Sequence, residues 1–136
     1  MKKTSIISLA LILGFSNMAI AENATMMEPP AGAYKQVSTL VKLPAFIPGL
    51  GSLYVDPASL PAGPFAAYDK IGHLVSSIYM IPLAQMNDKK KFASLGVAGS
   101  KAHSVDIYYN AGHPGVAEPH YHITVWHVDP ATAKLK

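Results

Sequence analysis

Prolines limit what this chain can fold into more than any other residue type does. The 136-residue sequence contains 11 prolines and 10 glycines, and five of the prolines fall between residues 44 and 64. Each proline lacks the backbone N–H that a helix or a sheet ladder requires. We therefore expect ordered loops in this stretch, arranged around one short strand from Ser52 to Val55.

Alternating and apolar segments predict two strand pairs outside the proline-rich stretch. The segments from Phe65 to Tyr68 and from His73 to Ile81 flank the turn-like residues 69–72, so they predict a β-hairpin. The segments from Ser104 to Tyr109 and from His120 to Val128 alternate with a period of two, which is typical of strands. The loop over residues 110–119 would join this second pair.

Between the two pairs, the sequence predicts a helix. Apolar residues after Pro82 alternate with a run of three lysines, and the pattern stops near Gly96, as in an amphipathic helix with a solvated face. The apolar positions are Leu83, Met86, Phe92 and Leu95. Taken together, the pattern predicts an α+β fold: a mostly antiparallel β-sheet with about one amphipathic helix and long Pro/Gly-rich loops.

The first residues have the features of a secretory signal peptide. Lys2 and Lys3 precede an apolar run from residue 6 to 15, and Ala19 and Ala21 supply the small residues of a cleavage site. No later segment has the roughly 20 continuous apolar residues of a membrane span. The predicted organisation is a signal peptide (1–21), a flexible N-terminal arm (22–33) and a single domain (34–136), with a periplasmic or secreted product.

Charge and cysteine content exclude several functional classes. Without Lys2 and Lys3, nine lysines face eight acidic residues, so the formal net charge drops from +3 to +1. A nearly neutral chain without arginine lacks the basic surface of a nucleic-acid-binding protein. The absence of cysteine excludes disulfides, thiolate metal sites and cysteine nucleophiles.

Histidines form the one chemically informative cluster. His120 and His122 lie two residues apart on a predicted strand, so both side chains point to one face, close enough to share a metal ion. His113 in the preceding loop is the candidate third ligand, and Glu118 is the alternative oxygen donor. His127 has the opposite parity and is expected to face the other side of the strand.

Imidazole and carboxylate donors favour a transition metal such as zinc or copper over calcium or magnesium. The leading hypothesis is an exported domain that binds or sequesters such an ion. A second hypothesis is a metal-free module that binds a small ligand, or another copy of itself, through an aromatic surface. A third is a small metal-dependent hydrolase with Glu118 or Asp106 as base, and the sequence leaves open whether the protein is an enzyme. The aromatic residues of the second hypothesis are Tyr108, Tyr109, Tyr121 and Trp126.

The histidine-bearing segments resemble a family of small exported bacterial domains of unknown function. Those domains carry an aromatic-Asn-Pro-x-Gly-His loop followed by a Pro-His-aromatic-Asp-aromatic-His strand, and the resemblance covers about twenty residues. His122 stands where that pattern has Asp, and Thr124 stands where it has its last His. The resemblance implies a small secreted α+β domain with a histidine-bearing site. The matching positions are Asn110, Gly112, His113, Pro119 and His120.

Overall fold

The computed structural model describes residues 26–136, and the predicted signal peptide lies outside these residues. Six strands form one sheet in the order β1-β2-β3-β4-β6-β5, and all neighbouring strands are antiparallel. The strands are β1 (Lys35–Gln36), β2 (Ser52–Val55), β3 (Phe65–Tyr68), β4 (Leu74–Pro82), β5 (Ser104–Asn110) and β6 (His120–Trp126).

Both predicted strand pairs are confirmed. β3 and β4 form the expected hairpin, and Asp69 shapes its turn by accepting hydrogen bonds through its carboxylate from the backbone N–H groups of Ile71 and His73. β5 and β6 pair along their whole length, from Ser104 opposite Trp126 to Asn110 opposite His120. The short strand predicted within the proline-rich stretch is β2.

The α+β fold class is wrong, because the predicted amphipathic helix does not form. Within the described residues the structure has three short 3₁₀ turns. One of them, Leu83–Gln85, lies in the segment that was predicted to be helical. Asn87 ends that turn, since its side-chain oxygen accepts from the N–H of Lys89 and its amide donates to the carbonyl of Ala84. Side-chain bonds of this kind compete with helical backbone bonds. The chain is a β-sheet protein.

Part of the segment predicted to be helical lies beside the sheet. Met86, Phe92 and Leu95 line a cleft with Ile107 and Ile123 from β5 and β6. Phe92 and Leu95 are half-buried there, whereas Leu83 and Met86 are exposed. The spacing therefore indicated burial for only two of the four apolar residues, and the helical conformation inferred from it was wrong.

β4 lies in the middle of the sheet, and all nine of its residues are buried. One face of β4 carries Ile78 and Met80, which lie opposite Thr124 and His122 of β6. We call this side of the sheet the histidine face. The segment before β2 packs over it, since Val41, Leu43 and Leu50 contact the core that includes Ile78 and Met80.

Part of the predicted N-terminal arm lies within the described residues and contacts the sheet. Met27 pairs with His73, and the N–H of Glu28 donates to the carbonyl of Gly72 at 2.8 Å. Tyr54 donates its hydroxyl to the Glu28 carboxylate at 2.9 Å, and burial together with this carboxylate raises the pKa of Tyr54 to about 12. Between residues 26 and 136, no helix has the length and hydropathy that crossing a membrane requires.

Candidate metal centre

Two of the three candidate ligands come from β6, where alternation places them on one face. His120 is 0% exposed and His122 is 4% exposed, and both point to the histidine face. Their Nε2 atoms are 2.9 Å apart. At this distance the two nitrogens are hydrogen-bonded to each other, so one of them carries a proton.

A tight turn in the β5–β6 loop brings in the third imidazole. His113 and Val116 exchange backbone hydrogen bonds of 2.9 and 3.0 Å around Pro114 and Gly115. Pro114 suits the second position of such a turn, and Gly115 adopts a φ of +91° that other residues rarely adopt. The turn places the His113 ring against both strand histidines, with ring centroids 4.9 Å from His120 and 5.5 Å from His122.

The three histidines each offer one ring nitrogen to a common point. Ligand atoms of His113, His120 and His122 all lie within 4.8 Å of one another, so the cluster can hold a metal ion. This arrangement confirms the sequence expectation that the loop histidine joins the strand pair.

In each of the three rings, the nitrogen that points away from the cluster is Nδ1, which we call the outer nitrogen. Each outer nitrogen lies within hydrogen-bonding distance of a partner. The Nδ1 of His120 lies 2.7 Å from the carbonyl of Glu118, and the Nδ1 of His113 lies 3.0 Å from the carbonyl of Pro114. A carbonyl only accepts, so in both rings Nδ1 carries the proton and Nε2 presents a lone pair. Metal-binding histidines in proteins usually have their second nitrogen held in this way.

The third outer contact involves a tyrosine on the neighbouring strand. Tyr108 lies directly opposite His122 in the β5–β6 register, and its hydroxyl is 2.9 Å from Nδ1 of His122. A hydroxyl both donates and accepts, so this contact suits either tautomer of His122. Nε2 of His122 can therefore either donate a proton to Nε2 of His120 or present its lone pair to a metal ion.

Burial also keeps the His122 ring uncharged. Loss of hydration, followed by repulsion from His120 and His113, lowers the pKa of His122 from 6.5 to about 4. The His122 ring is therefore neutral at pH 7, which is the form that coordinates metals.

The other residues considered from sequence have different partners. Glu118 is exposed and supplies its main-chain carbonyl to His120, and its carboxylate is not among the clustered ligand atoms. Asp106 accepts a hydrogen bond from the indole of Trp126 at 2.8 Å. His127 lies away from the cluster, where its ring contacts the hydroxyl of Ser77 and the carbonyl of Lys101.

The tyrosines of the aromatic-surface hypothesis are divided between the two faces of the sheet. Tyr108 lies beside His122 on the histidine face. Tyr109 and Tyr121 pack edge to face on the opposite side, with ring centroids 6.0 Å apart.

A large apolar cavity adjoins the cluster, and this feature was not predicted. It has a volume of about 800 Å³ and is bounded by His113 and His122 together with apolar residues of the sheet and the proline-rich loops. The sequence signal was the series of apolar residues just before and among the prolines. The loop residues that line the cavity include Leu40, Val41, Leu43, Ile47 and Leu50.

The fold and the cluster together define a small antiparallel β-sheet protein with a largely buried tri-histidine site. A search of solved structures found the crystal structure of hypothetical protein TTHB210 from Thermus thermophilus, which is 43% identical, with a TM-score of 0.55. The match covers 70% of this chain and 89% of the Thermus chain. The chain therefore belongs to the same family as TTHB210. No protein-family model and no curated protein matches the chain.

Removing the Tyr108 hydroxyl is expected to weaken metal binding about tenfold. Tyr108→Phe deletes the group that orients His122, and losses of roughly 10- to 100-fold are typical when such a supporting hydrogen bond is removed. Zinc titration against a competing chelator measures the change. Tyr109→Phe is the matched control, because it removes a hydroxyl from the same strand on the opposite face. Equal zinc affinity in both variants would contradict this role for Tyr108.

Proposed function

We propose that this protein is an exported metal-binding domain that holds one transition-metal ion, zinc or copper, through Nε2 of His113, His120 and His122. The task we assign to it is binding or sequestration of the ion. The predicted signal peptide supports export to the periplasm or beyond. We further propose a relationship to the small exported domains whose histidine loop and strand these segments resemble.

The observation that carries the proposal is the convergence of three imidazoles whose outer nitrogens are all engaged. Two backbone carbonyls and one hydroxyl hold these nitrogens, so each ring can direct its Nε2 at the same point. A cluster formed only by packing would have no reason to match the hydrogen-bonding pattern of metal-ligating histidines in this way.

The donor chemistry selects the class of ion. Three neutral imidazoles suit zinc, copper and related metals, whereas calcium and magnesium prefer several oxygen ligands. Nitrogens bound to a tetrahedral zinc ion at about 2.1 Å lie roughly 3.4 Å apart. The 2.9 Å separation between His120 and His122 is therefore within a small side-chain adjustment of a zinc site.

Three protein ligands leave a coordination position for a water molecule or another ligand, an arrangement common in catalytic zinc sites. Within the described residues, however, no carboxylate joins the cluster. A carboxylate beside the ion is the usual general base in zinc hydrolases. The geometry consequently favours binding of the ion over hydrolysis.

Equilibrium dialysis of tag-free protein against zinc or copper, followed by elemental analysis, tests the proposal. We expect one equivalent of metal per chain, and an increase in the free energy of unfolding of about 2.7 kcal/mol at a free metal concentration 100 times the Kd. Protein that emerges without metal, with an unchanged melting temperature, would refute the proposed function.

A further inference from the structure

The apolar cavity beside the three histidines has a strongly asymmetric wall. Its polar side chains all come from β5, β6 and the loop between them, which form one edge of the sheet. They are Tyr108, Asn110, His113 and His122. The rest of the wall is apolar and comes from the other strands, the loops before β3 and residues 114–116 of the β5–β6 turn. Its sheet residues include Leu53, Val55, Phe65, Ile78 and Met80.

The turn that carries His113 also closes one side of the cavity. Gly115 abuts Val41, so closely that a side-chain carbon built on Gly115 would lie 3.2 Å from a Val41 methyl group. Val116 packs against the same core as Val41. The turn that supplies His113 thus also forms part of the cavity wall, and a molecule in the cavity would lie beside His113 and His122.

Charge restricts what such a molecule can be. No described residue with a charged side chain lines the cavity, and the clustered ligands are three imidazoles without a carboxylate. A divalent ion on neutral imidazoles brings two positive charges into a largely buried site, where uncompensated charge is costly. An anion in the remaining coordination position would reduce that cost, and the adjoining hydrocarbon wall favours an anion with an apolar tail.

We propose that the cavity binds a monocarboxylic acid with an apolar tail, with the carboxylate on the metal ion and the tail along the wall formed by Leu53, Val55 and Phe65. The inference rests on the proposed function, because none of the described residues that line the cavity is cationic and the bound ion would supply the positive charge for the carboxylate. A volume of about 800 Å³ lies within the roughly 300–1,000 Å³ typical of small-molecule pockets.

Isothermal titration calorimetry with decanoate, acetate and 1-decanol tests the ligand class on the zinc-loaded and the metal-free protein. Burial of each methylene strengthens binding about fourfold, so decanoate should bind zinc-loaded protein at least about a hundred times more tightly than acetate. Removal of zinc should weaken decanoate binding at least about tenfold. The alcohol lacks the charge, so it should bind both forms with equal affinity, at least about tenfold more weakly than decanoate binds the zinc-loaded protein.

Variants that fill the cavity test the position of the tail. Leu53→Trp places a larger side chain in the wall and should weaken decanoate binding at least about tenfold while zinc affinity stays unchanged. Ile71→Trp is the matched control, since Ile71 is exposed in the β3–β4 turn and does not line the cavity. If Leu53→Trp fails to fold or loses zinc, Leu60→Trp replaces it, because Leu60 lines the cavity and is 46% exposed.

The outcomes separate this inference from the function on which it rests. Zinc binding without decanoate binding refutes the inference and leaves the proposed function standing. Decanoate binding that is equal with and without zinc, equal to that of 1-decanol, or unaffected by filling the cavity also refutes it. A protein that binds no metal refutes both.

Discussion

The His122→Asn variant is expected to bind zinc about a thousand times more weakly than the parent protein. The binding free energy of structural zinc sites is roughly 10–16 kcal/mol, shared among a few ligands, so one ligand contributes about 4 kcal/mol, or about a thousandfold in affinity. His122 is 4% exposed, and its Nε2 lies 2.9 Å from that of His120. No other imidazole is positioned to replace it, since among the described residues only three histidines cluster.

Competition titration with a chromogenic chelator measures this loss, and His103→Asn is the matched control. His103 is exposed just before β5 and lies outside the cluster, so its replacement should leave zinc affinity unchanged. Circular dichroism of both variants verifies that the sheet is retained. A folded His122→Asn protein with the affinity of the parent would exclude His122 as a ligand.

In the metal-free protein, acid is expected to lower the free energy of unfolding between about pH 6.5 and pH 4. The pKa of His122 is about 4 in the folded chain and about 6.5 in an unfolded one. In this window the unfolded state takes up a proton that the folded state does not, so stability falls as the pH falls. The shift corresponds to a loss of the order of 3 kcal/mol, complete below pH 4 and absent above pH 7.

Urea denaturation of metal-free protein at a series of pH values measures this dependence. Carboxylates also titrate near the lower end of the window, so the informative quantity is the difference between the parent and His122→Asn. The variant lacks the titrating ring, and its stability should therefore change less over the same range. Parallel profiles for the two proteins would show that His122 protonates as easily in the folded state as in the unfolded state.

The strands were predictable because their signals are local. β2 was predicted with its observed bounds, and the hairpin of β3 and β4 follows from two apolar segments around a short polar turn. The helix prediction was wrong although its signal was local as well. Met86, Phe92 and Leu95 line a cleft beside the sheet, but the side-chain hydrogen bonds of Asn87 to Ala84 and Lys89 compete with the helical backbone bonds at that point.

In the candidate site, too, some features follow from the local sequence and others depend on the tertiary structure. The pairing of His120 and His122 on one face follows from the two-residue period of a strand, and the Pro114-Gly115 dipeptide favours the turn that presents His113. The support of His122 by Tyr108 depends on the register between β5 and β6. The apolar cavity depends on loops that pack back over the sheet from distant parts of the sequence, as the contact between Gly115 and Val41 illustrates.

By itself, the sequence determined the strand alternation, the absence of thiol chemistry and the common face of two histidines, because each follows from residue identity or from contacts between near neighbours. The tertiary structure alone decided that β6 inserts between β4 and β5, that three imidazoles meet with their outer nitrogens engaged, and that an apolar cavity lies beside them. These features arise from packing between distant segments, where the stabilising contacts have no fixed spacing along the chain.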